Sequence, residues 1–132
     1  MKDDYVSFEI AKLLKEKGFD GDTSSCYILE DSTHHIMNDK VVQSEYYESQ
    51  DSNEHGHLIQ APTHQMAMKW LREKGIYITI VYGDYPSLNK VFWTPQIDSL
   101  EGFDLPNSFY EEYDKYEVAV EAALRYALEN LI

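Results

Sequence analysis

Ile76-Tyr77-Ile78-Thr79-Ile80-Val81-Tyr82 is the stretch on which the fold turns. Ile76, Ile78, Ile80 and Tyr82 fall on one side of an extended chain, and Tyr77, Thr79 and Val81 on the other. That two-residue period, in β-branched and aromatic residues, predicts a strand. Gly83-Asp84-Tyr85-Pro86-Ser87-Leu88-Asn89 then reads as a turn region, and Lys90-Val91-Phe92-Trp93-Thr94 as a second strand. Seven intervening residues cannot carry a parallel crossover, so the pair is expected to be an antiparallel hairpin. Pro95 is expected to end the second strand or to force it to a sheet edge.

Helical signals flank this hairpin. Before it, Thr63 can cap a helix over about 64–74, with Met66, Ala67, Trp70 and Leu71 as the buried stripe. Gly75 supplies its left-handed end. Beyond the hairpin, Asp114 and Glu117 have the spacing of a capping box for a helix over about 115–131. Its stripe is Tyr116, Val120, Ala123, Leu124, Ala127, Leu128 and Leu131. Val118, Ala122 and Tyr126 widen the apolar arc beyond what one sheet face covers; a homodimer through this helix is the expected cover, and the apolar stripe of a helix over about 7–17 is the competing one. Near the N-terminus, Ser7 caps a helix over about 7–17 that carries Val6, Ile10, Leu13 and Leu14 inward and ends at Gly18. The expected fold class is therefore α+β: an antiparallel sheet built on a 76–94 hairpin, with three helices at about 7–17, 64–74 and 115–131. Residues 20–60 hold short β-prone pieces, Cys26–Leu29 and Lys40–Val42, and are expected to form an irregular hairpin and a surface loop.

Composition bounds the function. The chain has 132 residues, 43% of them hydrophobic, which suits one domain, 1–132, with a self-sufficient core. The formal net charge is −13. Nucleic-acid affinity comes from Lys and Arg displacing counterions, so direct nucleic-acid binding is not expected. Anionic membrane surfaces are disfavoured for the same reason, and no apolar run is long enough to span a bilayer. The first twenty residues mix charges through an amphipathic pattern, unlike a signal peptide. A single cysteine, Cys26, fits a reducing compartment and a cytoplasmic location.

The chemistry-bearing residues are few. His55 and His57, with His64 seven residues on, form the candidate metal set, yet this spacing matches no established site and no cysteine joins it. A solvated loop is the plainer account, and no cofactor is expected. Cys26 could pair with His34 or His35, but Asp20, Asp22, Glu30 and Asp31 around it disfavour a thiolate. Asp20-Gly21-Asp22 opens like a calcium loop but lacks glycine at the sixth position and glutamate at the twelfth. The strongest bias lies between Asp98 and Asp114. Asp98, Glu101, Asp104, Glu111, Glu112 and Asp114 occur there with no Lys or Arg, interleaved with Phe103, Phe109, Tyr110 and Tyr113. Such a surface can dock a basic protein, charge speeding the encounter and aromatics anchoring it.

Three stretches carry a family likeness. They are Tyr5–Phe19, Ala61-Pro62-Thr63-His64-Gln65-Met66-Ala67-Met68-Lys69-Trp70-Leu71-Arg72-Glu73, and Tyr116–Leu124 through Leu131-Ile132. Together they resemble a family of short proteins encoded by phages, prophages and other mobile elements of gut Bacteroidetes. The resemblance implies a small α+β domain in the cytoplasm of a carrier bacterium, and it carries no activity, ligand or catalytic residue. The expected function is a non-enzymatic accessory protein of such an element. It would bind a basic host or phage protein through the acidic, aromatic surface. The alternative is a small metal-dependent enzyme or metal-binding protein using His55, His57 and His64.

Overall fold

The computed structural model describes residues 4–21, 23, 25–30, 33–37, 59–99 and 111–132. The class is α+β, with three α-helices and two antiparallel sheets among these residues. No helix among them is long and apolar enough to cross a membrane. The chain divides into two compact units, Met1–Met66 and Ala67–Ile132.

In the first unit, α1 (Phe8–Glu16) starts at Ser7, whose hydroxyl accepts from the Ile10 amide at 3.3 Å. It closes in a Schellman motif: the Phe19 amide bonds the Leu14 carbonyl and the Gly18 amide bonds that of Lys15, with Gly18 at φ 90°. Val6, Ile10, Ala11 and Leu14 are buried. Three strands follow, β1 (Cys26–Glu30), β2 (Thr33–Met37) and β3 (Ile59–Gln60), in the order β2-β1-β3. The β1–β2 register runs from Cys26 opposite Met37 to Glu30 opposite Thr33. The hairpin expected in this region is present as the β1–β2 pair, and Lys40–Val42 lie outside the described residues. Around β3 the Val6 amide bonds the Pro62 carbonyl, tying in the N-terminal segment, and the Ala61 amide bonds that of Ser25, both at 3.0 Å. Tyr27 donates to the Val6 carbonyl, and its ring meets Phe8 edge-on at 5.8 Å.

The boundary between the units falls within α2 (His64–Glu73). As expected, the Thr63 hydroxyl caps it by accepting from the Met66 amide at 3.2 Å, and Gly75 at φ 85° ends it. Ala67, Met68, Trp70 and Leu71 are buried.

The second unit is built on β4 (Ile76–Tyr85) and β5 (Lys90–Ser99), joined by a 3₁₀ turn at Pro86–Leu88 and by Asn89 in the left-handed region, φ 51°. The expected hairpin is present and longer than expected, since β5 runs straight through Pro95. The ladder shows why. Trp93 exchanges both backbone bonds with Tyr113 at 2.8 Å, so its amide points away from β4. Amide directions alternate along a strand, so the nitrogen of Pro95, two residues on, also faces away from β4. Pro95 therefore costs the β4–β5 ladder no donor, as befits an edge position.

One face of the hairpin carries Ile76, Ile78 and Ile80 of β4 with Ile97, Pro95 and Trp93 of β5. Packed on the sheet, mainly over β5, is α3 (Tyr116–Asn130), which buries Ala119, Val120, Ala123, Leu124, Ala127 and Leu128. Its alanines let helix and sheet approach closely. The expected capping box does not form. The N-cap is Lys115, without a side-chain bond, so Glu117 falls at the second helical position rather than the third. Asp114 instead lies 3.7 Å from the Lys90 ammonium. On the flank of α3, Val118 is exposed, while Ala122 and Tyr126 are half-buried.

Candidate functional site

At the far end of the hairpin the sheet runs past its cover and displays apolar and aromatic side chains. Tyr82 is 56% exposed, Leu88 70% and Val91 45%, with Tyr85 also exposed. Ring contacts stiffen this end. Trp93 sits between Tyr82 and Tyr116, edge-on to each at 5.4 Å, and Tyr85 lies 4.9 Å from Phe92. Gly83 breaks the row of side chains, and the Phe92 ring fills the space that a Cβ there would take. That close approach explains a glycine in the middle of a strand.

Carboxylates border these rings. Residues 111–114 run beside β5, held by the Trp93–Tyr113 bridge, and Glu111, Glu112 and Asp114 are exposed there. The Tyr85 hydroxyl donates to the Glu112 carboxylate at 2.6 Å. Asp84 stands exposed on β4. Of the carboxylates expected to form one acidic surface, the structure gathers Glu111, Glu112 and Asp114. It sets Asp98 apart, exposed and paired with Tyr77 nearer the start of β4. Glu101 and Asp104 lie outside the described residues. Periodicity alone did not point to Tyr82, Tyr85, Leu88 or Val91 as members of the surface. The signal available was Gly83, which interrupts the alternation where cover ends.

Tyr85 titrates high. Its hydrogen bond to Glu112 is the main cause, with desolvation and the charge of Glu112 adding to it. Tyr113 is raised by burial first and then by Glu111. For Tyr85 the folded chain favours the neutral phenol, so the stabilising bond is complete below the ordinary tyrosine value of 10.0 and lost as pH rises through the higher folded value. Wild type is expected to be more stable than Tyr85→Phe at about pH 9, with the gap closing on further alkalinisation. Thermal unfolding of both proteins across that range checks it; a gap independent of pH would break the assignment.

The other candidates separate. Cys26 is fully buried at the start of β1, flanked in the sheet by Met37 and Gln60 rather than by a histidine. Burial pushes its thiol up to about 11. Its thiolate fraction at neutral pH then falls roughly a hundredfold below that of a thiol at the ordinary value. A disulfide reagent at mildly alkaline pH is expected to leave native Cys26 unmodified and to label it on unfolding; rapid labelling of the native protein would contradict this. His64 is buried in the first turn of α2, and His55 and His57 lie outside the described residues. Among the described residues no group of three His, Cys, Asp or Glu is placed to hold a metal ion.

No family model, curated protein or solved structure matches the chain. The functional reading therefore rests on the surface itself.

Proposed function

We propose that the protein is a non-enzymatic accessory protein that docks a basic protein partner on the distal end of the β4–β5 hairpin. It is of the mobile-element kind that its helical stretches resemble. The observation that carries this reading is the juxtaposition of exposed Tyr85 with Glu112 and Asp114 on one face of the hairpin's distal end, with Glu111 exposed next to them in the chain. Aromatic side chains offer large contact areas at low entropic cost, and Lys or Arg can lie over their faces. The carboxylates steer a cationic surface toward them, and the net charge of −13 extends that attraction to a distance.

The probe is a synthetic Lys- and Arg-rich peptide containing apolar residues, titrated while following Trp93 emission in a Trp70→Phe background. Binding is expected to weaken as salt is raised. Replacing Glu111 and Glu112 together with Gln is expected to slow association several-fold and flatten its salt dependence, leaving the fold intact. Association rates unchanged by the double replacement would leave those carboxylates with no part in docking.

A further inference from the structure

The outer edge of β4 offers a second surface, distinct from the acidic one beside β5. Tyr82 is the ladder partner of Trp93, whose backbone groups face away from β4, so this is a non-hydrogen-bonded pair. The amide and carbonyl of Tyr82 therefore point away from β5. Alternation sends those of Ile76, Ile78, Ile80 and Asp84 the same way. Among the described residues none pairs with this edge.

Exposed edges are normally blunted by Lys, Pro, bulges or short length. β4 has ten residues, an unbroken register with β5, and neither Lys nor Pro. Its one charged residue is Asp84, in a chain that is 27% charged. Because α3 lies mainly over β5, Ile78 and Ile80 remain only half-buried.

We propose that this edge pairs antiparallel with β4 of a second copy, about a two-fold axis at Ile80. The pattern is self-complementary. With Ile80 opposite its own copy, Ile78 meets Tyr82 and Ile76 meets Asp84, so the one carboxylate of the strand never faces itself. Every outward amide from Ile76 to Asp84 gains a carbonyl, and two isoleucine rows join into one apolar face of a four-stranded sheet. An isologous interface needs this self-matching. A basic partner would not select this edge, since the carboxylates gathered at residues 111–114 lie beside β5. Repulsion between two chains of charge −13 opposes the dimer, so added salt strengthens it, opposite in sign to docking of a basic partner.

Sedimentation of the full chain over a range of concentrations, at low and high salt, reads the association. The expected result is a monomer–dimer equilibrium that shifts toward dimer with salt. Tyr82→Pro removes one outward amide while leaving the β4–β5 ladder its donors, and is expected to weaken the dimer about tenfold or more. Ile80→Cys is expected to cross-link between copies under mild oxidation, since facing residues of such a pair stand about 5.5 Å apart. Ala122→Glu, on the flank of α3, is expected to leave the dimer intact. A wild type monomeric at every concentration and salt overturns the proposal. So does a dimer lost in Ala122→Glu and kept in a folded Tyr82→Pro, which would give the contact to α3.

Discussion

Trp70→Ala is expected to destabilise the protein by about 3–5 kcal/mol, the range for removing a large buried aromatic side chain. Trp70 is only 8% exposed, on the buried side of α2 with Ala67 and Leu71. The truncation removes the whole indole from the buried side of a helix whose other face, Lys69, Arg72 and Glu73, is exposed. A second, smaller contribution comes from Lys74, whose ammonium sits 4.4 Å from the ring centroid. Lys74→Ala alone is expected to cost about 0.5–1 kcal/mol, the cation–π range at an exposed site. Denaturant unfolding followed by far-ultraviolet circular dichroism measures both. A loss below about 1 kcal/mol for Trp70→Ala is a surface value and would place the other face of α2 inward.

Leu124→Ala is the second large effect, at about 2–5 kcal/mol. Leu124 has no exposed surface and sits midway along the buried stripe of α3, between Val120 and Leu128. The neighbouring Ala119, Ala123 and Ala127 have no side-chain rotamers with which to fill the cavity, which leaves that to Val120 and Leu128. Val118→Ala supplies the contrast on the same helix. Val118 is 47% exposed, and its truncation is expected to stay within about 0.5 kcal/mol. Equal losses at the two positions would mean that the helix is rotated about its axis.

Much of the fold was legible in local patterns, because the forces responsible act over a few residues. Ser7 and Thr63 accept from amides three residues on, and Gly18 and Gly75 adopt the left-handed conformation that ends a helix. The alternation from Ile76 to Val81 survives as buried or half-buried against exposed positions. The candidate surface was legible only in part. A run of carboxylates is visible in any sequence, but which of them share a surface depends on where the chain returns. Glu111, Glu112 and Asp114 reach the hairpin because Tyr113 pairs with Trp93, a contact across twenty residues.

What the sequence by itself determined is three amphipathic helices, the caps of the first two, and an antiparallel hairpin around residues 76–94. Short-range hydrogen bonds and side-chain periodicity suffice for these. Tertiary structure decided three further things. Pro95 lies inside β5, because the pairing of Trp93 with Tyr113 sets which backbone groups face β4. Asp114 lies against Lys90 and caps no helix, since α3 begins a residue later than the local spacing suggests. The β-prone segments divide between two sheets, the strands before residue 61 pairing apart from the 76–99 hairpin. Strand pairing is a choice among partners distant in sequence, and it follows from which faces can be buried together, which no local window contains.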